Sequence, residues 1–257
     1  MRKILGAMLA AAMLMAAMPA AAEPADVAGA FAMDDRAEQD TALDESRQPV
    51  AVLGFLGLEY GDVALDVMAG GGYYSELMAR AVGPEGFVLA HNPPGVVSQF
   101  NIEQIFAGRG IGADRVPNAA SLPLAFDDFV LPPESVDFAL FHMVFHDLWH
   151  EAESLPRTEP EPFLARLYAA MRPGAIVGIV DHVGPAGVDT RAEVAETHRI
   201  DPTVIRQVME NAGFVFEEEL SLLRNPDDDH EASVFDPAIR GQTDRVVYRF
   251  RRPGRGD

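Results

Sequence analysis

A short apolar run followed by three glycines constrains this chain more than any other feature. The run 63–66 ends on Asp66, Gly70, Gly71 and Gly72 follow closely, and residues 73–81 show the apolar spacing of a helix. Glycine has no Cβ and tolerates positive φ, so a turn of this kind lets a ligand approach the backbone closely. The stretch therefore predicts a strand, a tight turn and a helix. A nucleotide-type site above the turn is one interpretation, and a ligand-free turn of an ordinary α/β domain is the other.

The overall composition is that of an ordinary globular protein with an acidic surface. The chain has 257 residues, of which 48% are hydrophobic and 23% are charged, and its formal net charge is −20. A length of this order allows one sizeable domain or two small ones. The charge argues against nucleic acid or an anionic membrane as a partner, because both need clustered Lys and Arg. The absence of cysteine excludes disulfides, thiolate metal sites and a cysteine nucleophile.

The first residues have the pattern of an export signal. Arg2 and Lys3 are followed by a short apolar run over residues 4–18, and small residues at 19–22 precede Glu23. This pattern predicts a signal peptide over residues 1–22 and a periplasmic location, with no stable membrane insertion after cleavage. An uncleaved N-terminal anchor is the alternative. Residues 23–45 are rich in Ala, Asp and Glu and are predicted to be a linker, so the folded domain is expected over residues 46–257.

Strand and helix patterns alternate along the rest of the chain. Strands are predicted at residues 63–68, 87–92, 115–118, 136–141, 175–181, 214–222 and 245–251. Helices are predicted at residues 47–58, 73–81, 96–107, 163–171 and 202–211, and another near residue 146. This order predicts an α/β fold with a doubly wound, mostly parallel seven-stranded sheet. The last two strands have no helix between them, so the last strand should be antiparallel. Ligands of such sheets bind at the carboxyl ends of the strands.

Four short motifs in this order resemble the class I S-adenosylmethionine (SAM)-dependent methyltransferases, whose fold is Rossmann-like. Residues 65–74 (LDVMAGGGYY) resemble the first motif of that family, and residues 136–140 (VDFAL) resemble its fourth strand. Residues 171–175 (MRPGA) and 212–214 (AGF) resemble the turns before its fifth and sixth strands. The resemblance covers residues 47–251. Within the family, the chain is most similar to a group of exported bacterial predicted methyltransferases.

The resemblance implies that SAM is the cofactor. It implies cofactor-binding roles for Asp66, Ala69, Gly70, Gly71, Gly72, Asn92 and His142. Asp66 would hold the amino group of the methionine part, directly or through water. Asn92 stands where the family has an acid that accepts hydrogen bonds from the ribose hydroxyls, and an amide oxygen can accept them without charge. Met68 stands where the family has its first glycine.

Titratable side chains cluster at the predicted carboxyl ends of the strands. The candidates for catalysis are His146, Asp147, Asp181, His182 and His198. Methyl transfer from a sulfonium is an in-line displacement, so the protein must align the acceptor and remove its proton where needed. His146 or His182 is expected to act as a base or to position a small-molecule substrate. For any single histidine, a structural role is the alternative.

Two interpretations involving metals are open. Residues 179–182 resemble the end of the fifth strand of the catechol O-methyltransferase group, which binds magnesium, and His142 falls where that group has its first ligand. Histidine is a poor magnesium ligand, so no metal is predicted. The acidic run 227–229 could bind calcium, but a solvated loop is favoured.

Two other functions compete with methyl transfer. A non-catalytic exported ligand-binding protein on the same fold is favoured by Met68 and Asn92, which depart from the family pattern. It is also favoured by export, since SAM is made in the cytoplasm. An NAD(P)-dependent oxidoreductase is less well supported, because its fingerprint needs an acid about 20 residues after the glycines, where Asn92 stands.

Overall fold

The computed structural model describes residues 23–256, and within them seven strands form one sheet. The strands are β1 (Val63–Val67), β2 (Phe87–His91), β3 (Ala119–Leu122), β4 (Val136–His142), β5 (Met171–His182), β6 (Val215–Glu219) and β7 (Arg245–Arg251). Their order across the sheet is β3-β2-β1-β4-β5-β7-β6. Neighbouring strands from β3 to β5 are parallel, whereas β7 pairs antiparallel with both β5 and β6. The predicted α/β class, with a mostly parallel sheet and an antiparallel last strand, is confirmed.

Ten α-helices accompany the sheet within residues 23–256. They are α1 (Val27–Phe31), α2 (Glu38–Thr41), α3 (Asp44–Arg47), α4 (Pro49–Leu56), α5 (Tyr73–Ala81), α6 (Pro94–Gln99), α7 (Ile102–Arg109), α8 (Pro160–Ala170), α9 (Thr190–Thr197) and α10 (Pro202–Asn211). No helix in this part of the chain is long and apolar enough to cross a membrane.

Both faces of the sheet are buried, so the fold is doubly wound. Successive residues of a strand point to opposite faces, and Ala64 and Leu65 of β1 accordingly belong to different core clusters. The Leu65 cluster contains residues of α8 and α10, and the Ala64 cluster contains residues of α1, α4 and α5. The order of strands reverses at β1 and β4, which opens a crevice at their carboxyl ends.

Three predicted elements differ from the structure. The helix predicted over residues 96–107 is two helices, α6 and α7, because Asn101 between them has a φ of 52°. The third strand begins at Ala119, after the predicted range of residues 115–118. The helix predicted near His146 is a single 3-10 turn, His146–Leu148, and α9 was not predicted.

The segment predicted to be a linker, residues 23–45, packs on the domain. Val27 and Ala30 of α1 are buried in the core cluster that contains residues of α5. Further along, the guanidinium of Arg109 pairs with Asp40 of α2 and, at 3.0 Å, with Glu76 of α5. Residues 27–45 therefore form short helices that pack on the domain. The predicted signal peptide lies outside the described residues.

The acidic loop over residues 224–243 is held by a buried ion pair. Nη1 and Nη2 of Arg199 donate to the two carboxylate oxygens of Asp228, at 2.8 and 3.0 Å, and both side chains are buried. The backbone N–H of Asp244 also donates to Asp228, at 2.6 Å. The loop is thereby fixed over the carboxyl end of the sheet, where the backbone N–H of Val234 donates to the carbonyl of Thr197.

Candidate functional site

Two adjoining cavities lie at the carboxyl ends of β1 and β4. The inner hollow, of about 290 Å³, is lined by Asp66, the glycine turn and His142. The outer cavity, of about 470 Å³, is lined by four histidines and by the loop over residues 224–243. Four residues line both, namely Leu43, Arg47, Met68 and Met143. The arrangement allows a ligand in the inner hollow to face a second ligand in the outer cavity.

Asp66 supplies the acidic group of the inner hollow. It is buried at the end of β1, and Oγ of Ser75 donates to its carboxylate at 2.6 Å. Burial raises the pKa of Asp66 to about 7, against the lowering effects of the Ser75 hydrogen bond and the charge of Arg47. A carboxyl group with this pKa changes its charge near neutral pH, and an ammonium group bound beside it would favour the ionised form.

The glycine turn has the predicted shape, but its three glycines have different surroundings. Gly70 has a φ of 54°, and a Cβ there would meet nothing within 4 Å, so the space beside it is open. Gly71 also lines the inner hollow, as does Ala69. A Cβ at Gly72 would lie about 3.0 Å from Phe106, so this glycine packs beneath that side chain and does not line the hollow.

Asn92 does not face the inner hollow, which corrects its expected orientation. Its Oδ1 accepts a hydrogen bond from the backbone N–H of Gly70 at 2.9 Å, and its Nδ2 donates to the Gly70 carbonyl at 3.3 Å. The side chain is buried and lines neither cavity. It is therefore engaged in holding the turn instead of being presented to a ribose.

Met68 and Met143 form the boundary between the two cavities. Both residues have a positive φ, of 50° and 59°, which is uncommon for a residue with a Cβ and costs free energy. The backbone N–H of Met68 donates to Nδ1 of His91 at 3.3 Å, and that of Met143 donates to the Val180 carbonyl at 2.7 Å. Two residues with a strained backbone thus lie where the inner hollow meets the outer cavity.

His142 lies at the end of β4, beside the inner hollow. Its ring centroid is 4.4 Å from that of Tyr74, and its buried Nε2 has no hydrogen-bond partner within residues 23–256. Burial lowers the pKa of His142, and the charges of Arg47 and Arg245 lower it further. The imidazole is therefore neutral, and its Nε2 is a buried polar atom without a partner beside the hollow.

His146 and Asp181 form a buried pair at the outer cavity. Nδ1 of His146 lies 2.8 Å from Oδ1 of Asp181, whose Oδ2 accepts from the backbone N–H of His146 at 2.8 Å. Burial opposes the imidazolium charge, but the carboxylates of Asp181 and Asp147 outweigh it and raise the pKa of His146 to about 9. Burial favours neutral Asp181, but His146 outweighs it and lowers the pKa of Asp181. The pair fixes the ring of a basic histidine beside the cavity.

The other predicted catalytic residues also border the outer cavity. Asp147 lies 3.7 Å from Nε2 of His146, and burial raises the pKa of Asp147. His182 is fixed by a 2.7 Å hydrogen bond between its Nδ1 and Oγ1 of Thr243, and burial lowers the pKa of His182 to about 3.

His198 completes the group, although it comes from a later segment. Its ring centroid lies 5.5 Å from that of His146 and 4.6 Å from that of His150. Burial lowers the pKa of His198 to about 4, and the two neighbouring histidines add to the effect. The structure therefore brings together all five predicted catalytic residues.

The histidines do not form a recognisable metal site. No group of three or more His, Asp or Glu side chains in the described part of the chain could hold a metal ion. Both carboxylate oxygens of Asp181 already accept hydrogen bonds from His146, and Oδ1 also accepts one from the backbone N–H of His182. The acidic run 227–229 is likewise engaged, since Asp228 pairs with Arg199.

Sequence reasoning missed the positively charged part of the outer cavity. Three arginines line this part of the cavity. Arg47 lies in the segment before β1, Arg240 in the long acidic loop, and Arg245 at the start of the last strand. No local motif connects them, because they meet only after the N-terminal helices and β7 have packed against the sheet.

Comparisons with known proteins identify the fold. Neither a protein-family model nor a curated protein matches the sequence. A SAM-dependent methyltransferase from Aquifex aeolicus superposes with a TM-score of 0.55 at 20% identity, over 82% of this chain and 97% of that chain. A SAM-dependent methyltransferase from Mesorhizobium loti superposes with a TM-score of 0.56 at 14% identity, over 82% of this chain and 100% of that chain. The [4+2]-cyclase SpnF superposes with a TM-score of 0.56 at 16% identity, over 91% of this chain and 88% of that chain. The chain therefore has the fold of class I SAM-dependent methyltransferases.

Proposed function

We propose that this protein is a SAM-dependent methyltransferase that acts on a small molecule, with His146 as the general base. The observation that carries the proposal is the adjacency of the two cavities at the carboxyl ends of β1 and β4. One contains an acidic group and an open glycine turn, and the other contains a basic histidine fixed by a buried carboxylate. The likeness to methyltransferase structures supports the same function.

The residues of the inner hollow fit the methionine end of the cofactor. Asp66 can pair with its ammonium group, the open space beside Gly70 admits a ligand close to the backbone, and Nε2 of His142 can accept or donate a hydrogen bond. SAM would supply an electrophilic methyl group on a sulfonium. The hollow is near the lower end of the roughly 300–1,000 Å³ typical of ligand pockets, so the nucleoside end would extend beyond it.

His146 performs the proton transfer in the proposed reaction. The hydrogen bond from Nδ1 to Asp181 leaves Nε2 as the basic atom. Nε2 takes the proton of the acceptor, and Asp181 stabilises the imidazolium that results. SAM bound in the inner hollow would supply the methyl group, and both electrons of its carbon–sulfur bond would stay on sulfur as the acceptor bonds to carbon.

The basicity of His146 indicates which acceptors suit it. Proton transfer is favourable when the acceptor and the base have similar pKa values. The pKa of His146 is raised to about 9, which matches a phenol, whose pKa is about 10 by analogy with tyrosine. An aliphatic alcohol is far less acidic, so an acidic acceptor such as a phenol suits this base better.

Calorimetry with S-adenosylhomocysteine tests the cofactor assignment. We expect micromolar binding to the wild-type protein and weaker binding to Asp66→Asn. Methyl transfer from labelled SAM into a small-molecule extract should then be lost in His146→Gln, while that variant keeps its affinity for S-adenosylhomocysteine. No binding at high micromolar concentration would overturn the proposal.

A second candidate is a ligand-binding protein without methyl transfer. The strained Met68 at the boundary and the engagement of Asn92 with Gly70 favour it, since neither residue matches the family pattern. The cyclase SpnF shows that the fold is not confined to methyltransferases. Binding of S-adenosylhomocysteine without incorporation of label into any small molecule would favour this candidate.

We retain export by residues 1–22 and a periplasmic location as part of the proposal, testable by sequencing the N-terminus of the protein from its host.

A further inference from the structure

The arginines that lack a carboxylate partner are concentrated at one place. Fourteen of the 18 arginines in residues 23–256 have a carboxylate oxygen within 4.0 Å. The four without one, within the same residues, are Arg47, Arg166, Arg240 and Arg245. Three of these four, all except Arg166, line the outer cavity. In a chain with a net charge of −20, such a grouping is not expected from composition alone.

Arg245 is the buried member of this group, with 5% of its surface exposed. Its guanidinium donates to the carbonyls of Ser46 at 2.8 Å, Thr243 at 3.3 Å and Gly241 at 3.4 Å. These carbonyls fix the orientation of the side chain but do not neutralise its charge. Burial lowers the pKa of Arg245 and the nearby charge of Arg47 adds to the effect, whereas Tyr74 and the carboxylate of Asp244 act in the opposite direction. A buried cation of this kind is stabilised when a ligand supplies the missing negative charge.

Arg47 lies next to Arg245 and is partly exposed in both cavities. Its guanidinium carbon is 4.4 Å from the centroid of the Tyr73 ring, a cation–π contact that positions the group without neutralising it. The charges of Arg47 and Arg245 both act on His142 and Tyr74. The two guanidinium groups therefore form one positively charged end of the outer cavity, with the exposed Arg240 at its rim.

The same cavity also carries the proposed base. His146 and Asp147 lie there, and Asp147 is the only carboxylate among the described residues that line this cavity. Apolar side chains such as Phe100, Leu155 and Phe235 form part of the wall. The cavity thus combines guanidinium groups, an apolar wall and a basic histidine, and its volume of about 470 Å³ suits a molecule the size of a single substituted ring.

We propose that the outer cavity binds a small organic anion, a carboxylate or a phosphate monoester, whose charged group lies against Arg47 and Arg245 and whose acceptor faces His146. The guanidinium fork matches both anions in geometry and charge. The placement of the acceptor against His146 rests on the methyl transfer proposed above. The anion site is independent of that reaction, because binding measurements alone can test it.

Three probes that differ only in one substituent test the charge preference. They are 4-hydroxybenzoate, the neutral 4-hydroxybenzamide and 4-hydroxyphenyl phosphate, each titrated calorimetrically into the wild-type protein. We expect at least one anion to bind about tenfold to a hundredfold more tightly than the amide, and the stronger of the two identifies the anion class. Equal affinity for all three would overturn the proposal.

Variants of Arg47 locate the contact. Arg47→Gln should lower the affinity for the preferred anion about tenfold to a hundredfold and change that for the amide less than twofold. Arg47→Lys keeps the positive charge, so it should lose less affinity for the preferred anion than Arg47→Gln does. Arg206→Gln, on the exposed side of α10, is the matched control and should change neither affinity. Circular dichroism checks that each variant is folded. Arg245→Gln could fail to fold, so Arg47 carries the test. An unchanged anion affinity in Arg47→Gln would overturn the proposal.

Titration in the presence of S-adenosylhomocysteine separates this proposal from the proposed function. Anion binding should persist at saturating S-adenosylhomocysteine. Displacement of the anion would assign the guanidinium groups to the carboxylate of the cofactor and overturn the anion site. Selective anion binding by a protein that does not bind S-adenosylhomocysteine would support the anion site and contradict the methyltransferase assignment.

Discussion

Nδ1 of His146 lies 2.8 Å from Oδ1 of Asp181, and the same carboxylate also accepts the backbone N–H of His146. The aspartate is fully buried and has no exposed surface through which water could compete for it. The orientation of the imidazole therefore depends on a single side chain, and its basicity depends on that carboxylate together with Asp147.

The charge of Asp181 should determine the pH dependence of the reaction. If His146 is the base, kcat/KM should rise with pH up to about 9, where the raised pKa of His146 is reached. In Asp181→Asn, only Asp147 still opposes the effect of burial on His146, so the rising limb of kcat/KM should move to lower pH and its plateau should fall about a hundredfold or more. A histidine NMR titration measures the same pKa without an assay. A wild-type pKa near 6.5 would contradict the assignment.

The same pair should contribute pH-dependent stability. The pKa of His146 is raised from 6.5 to about 9 on folding, so its contribution is fully present below pH 6.5 and is lost as the pH rises through 9. His146→Gln should be less stable than the wild type at pH 6. This loss of unfolding free energy should be larger at pH 6 than at pH 9.5, by on the order of 3 kcal/mol. Urea unfolding at the two pH values measures the difference. Asp181→Asn should lose the same dependence, and a gap independent of pH would contradict the prediction.

Local patterns were sufficient to predict the centre of the fold. The apolar run of β1, the three glycines and the helical spacing of α5 are neighbours in sequence, so the strand, the turn and the helix could all be predicted. Four of the five catalytic candidates followed from the rule that ligands bind at the carboxyl ends of parallel strands, and His198 was taken from the segment that follows. Four of the five line the outer cavity, and Asp181 is buried behind His146.

What could not be predicted depends on contacts between distant segments. The expected orientation of Asn92 was wrong because its amide turns towards Gly70, which lies 22 residues away. Arg245 meets the carbonyl of Ser46 across 199 residues, so no local pattern could place Arg47 and Arg245 in one cavity. The split between α6 and α7 arises from the backbone of Asn101, which a helical pattern of apolar residues does not reveal.

Asp66 should make cofactor affinity depend on pH near neutrality. Burial raises the pKa of Asp66 to about 7, and an ammonium group binds its ionised form. The affinity for S-adenosylhomocysteine should therefore fall by up to about tenfold per pH unit below 7 and should level off above it. Calorimetry at several pH values measures this. Asp66→Asn should bind more weakly without that pH dependence, and an equally steep dependence in this variant would contradict the role of Asp66.

At position 68, glycine should give a more stable protein than alanine, which reverses the usual ranking of these two substitutions. The φ of 50° at Met68 is costly for any residue with a Cβ but not for glycine, so Met68→Gly should be more stable than Met68→Ala by about 1 kcal/mol. Met78, buried within α5, is the matched control, because alanine should be the more stable substitution there by about 1 kcal/mol. Urea unfolding of the four variants compares the sites. The same ranking at both positions would contradict the strain at Met68.

The buried pair of Arg199 and Asp228 should stabilise the fold more than an exposed pair does. Both side chains are at most 2% exposed, so Asp228→Asn leaves an uncompensated guanidinium and should cost about 3–5 kcal/mol of unfolding free energy. Glu210→Gln, which removes the exposed partner of Arg206, should cost about 1 kcal/mol or less. Because the pair fixes the loop that brings Phe235 and Arg240 to the outer cavity, Asp228→Asn should also weaken binding of the preferred anion. Chemical unfolding and calorimetry measure the two effects. Equal costs for the two substitutions would show that Asp228 does not act through its buried charge.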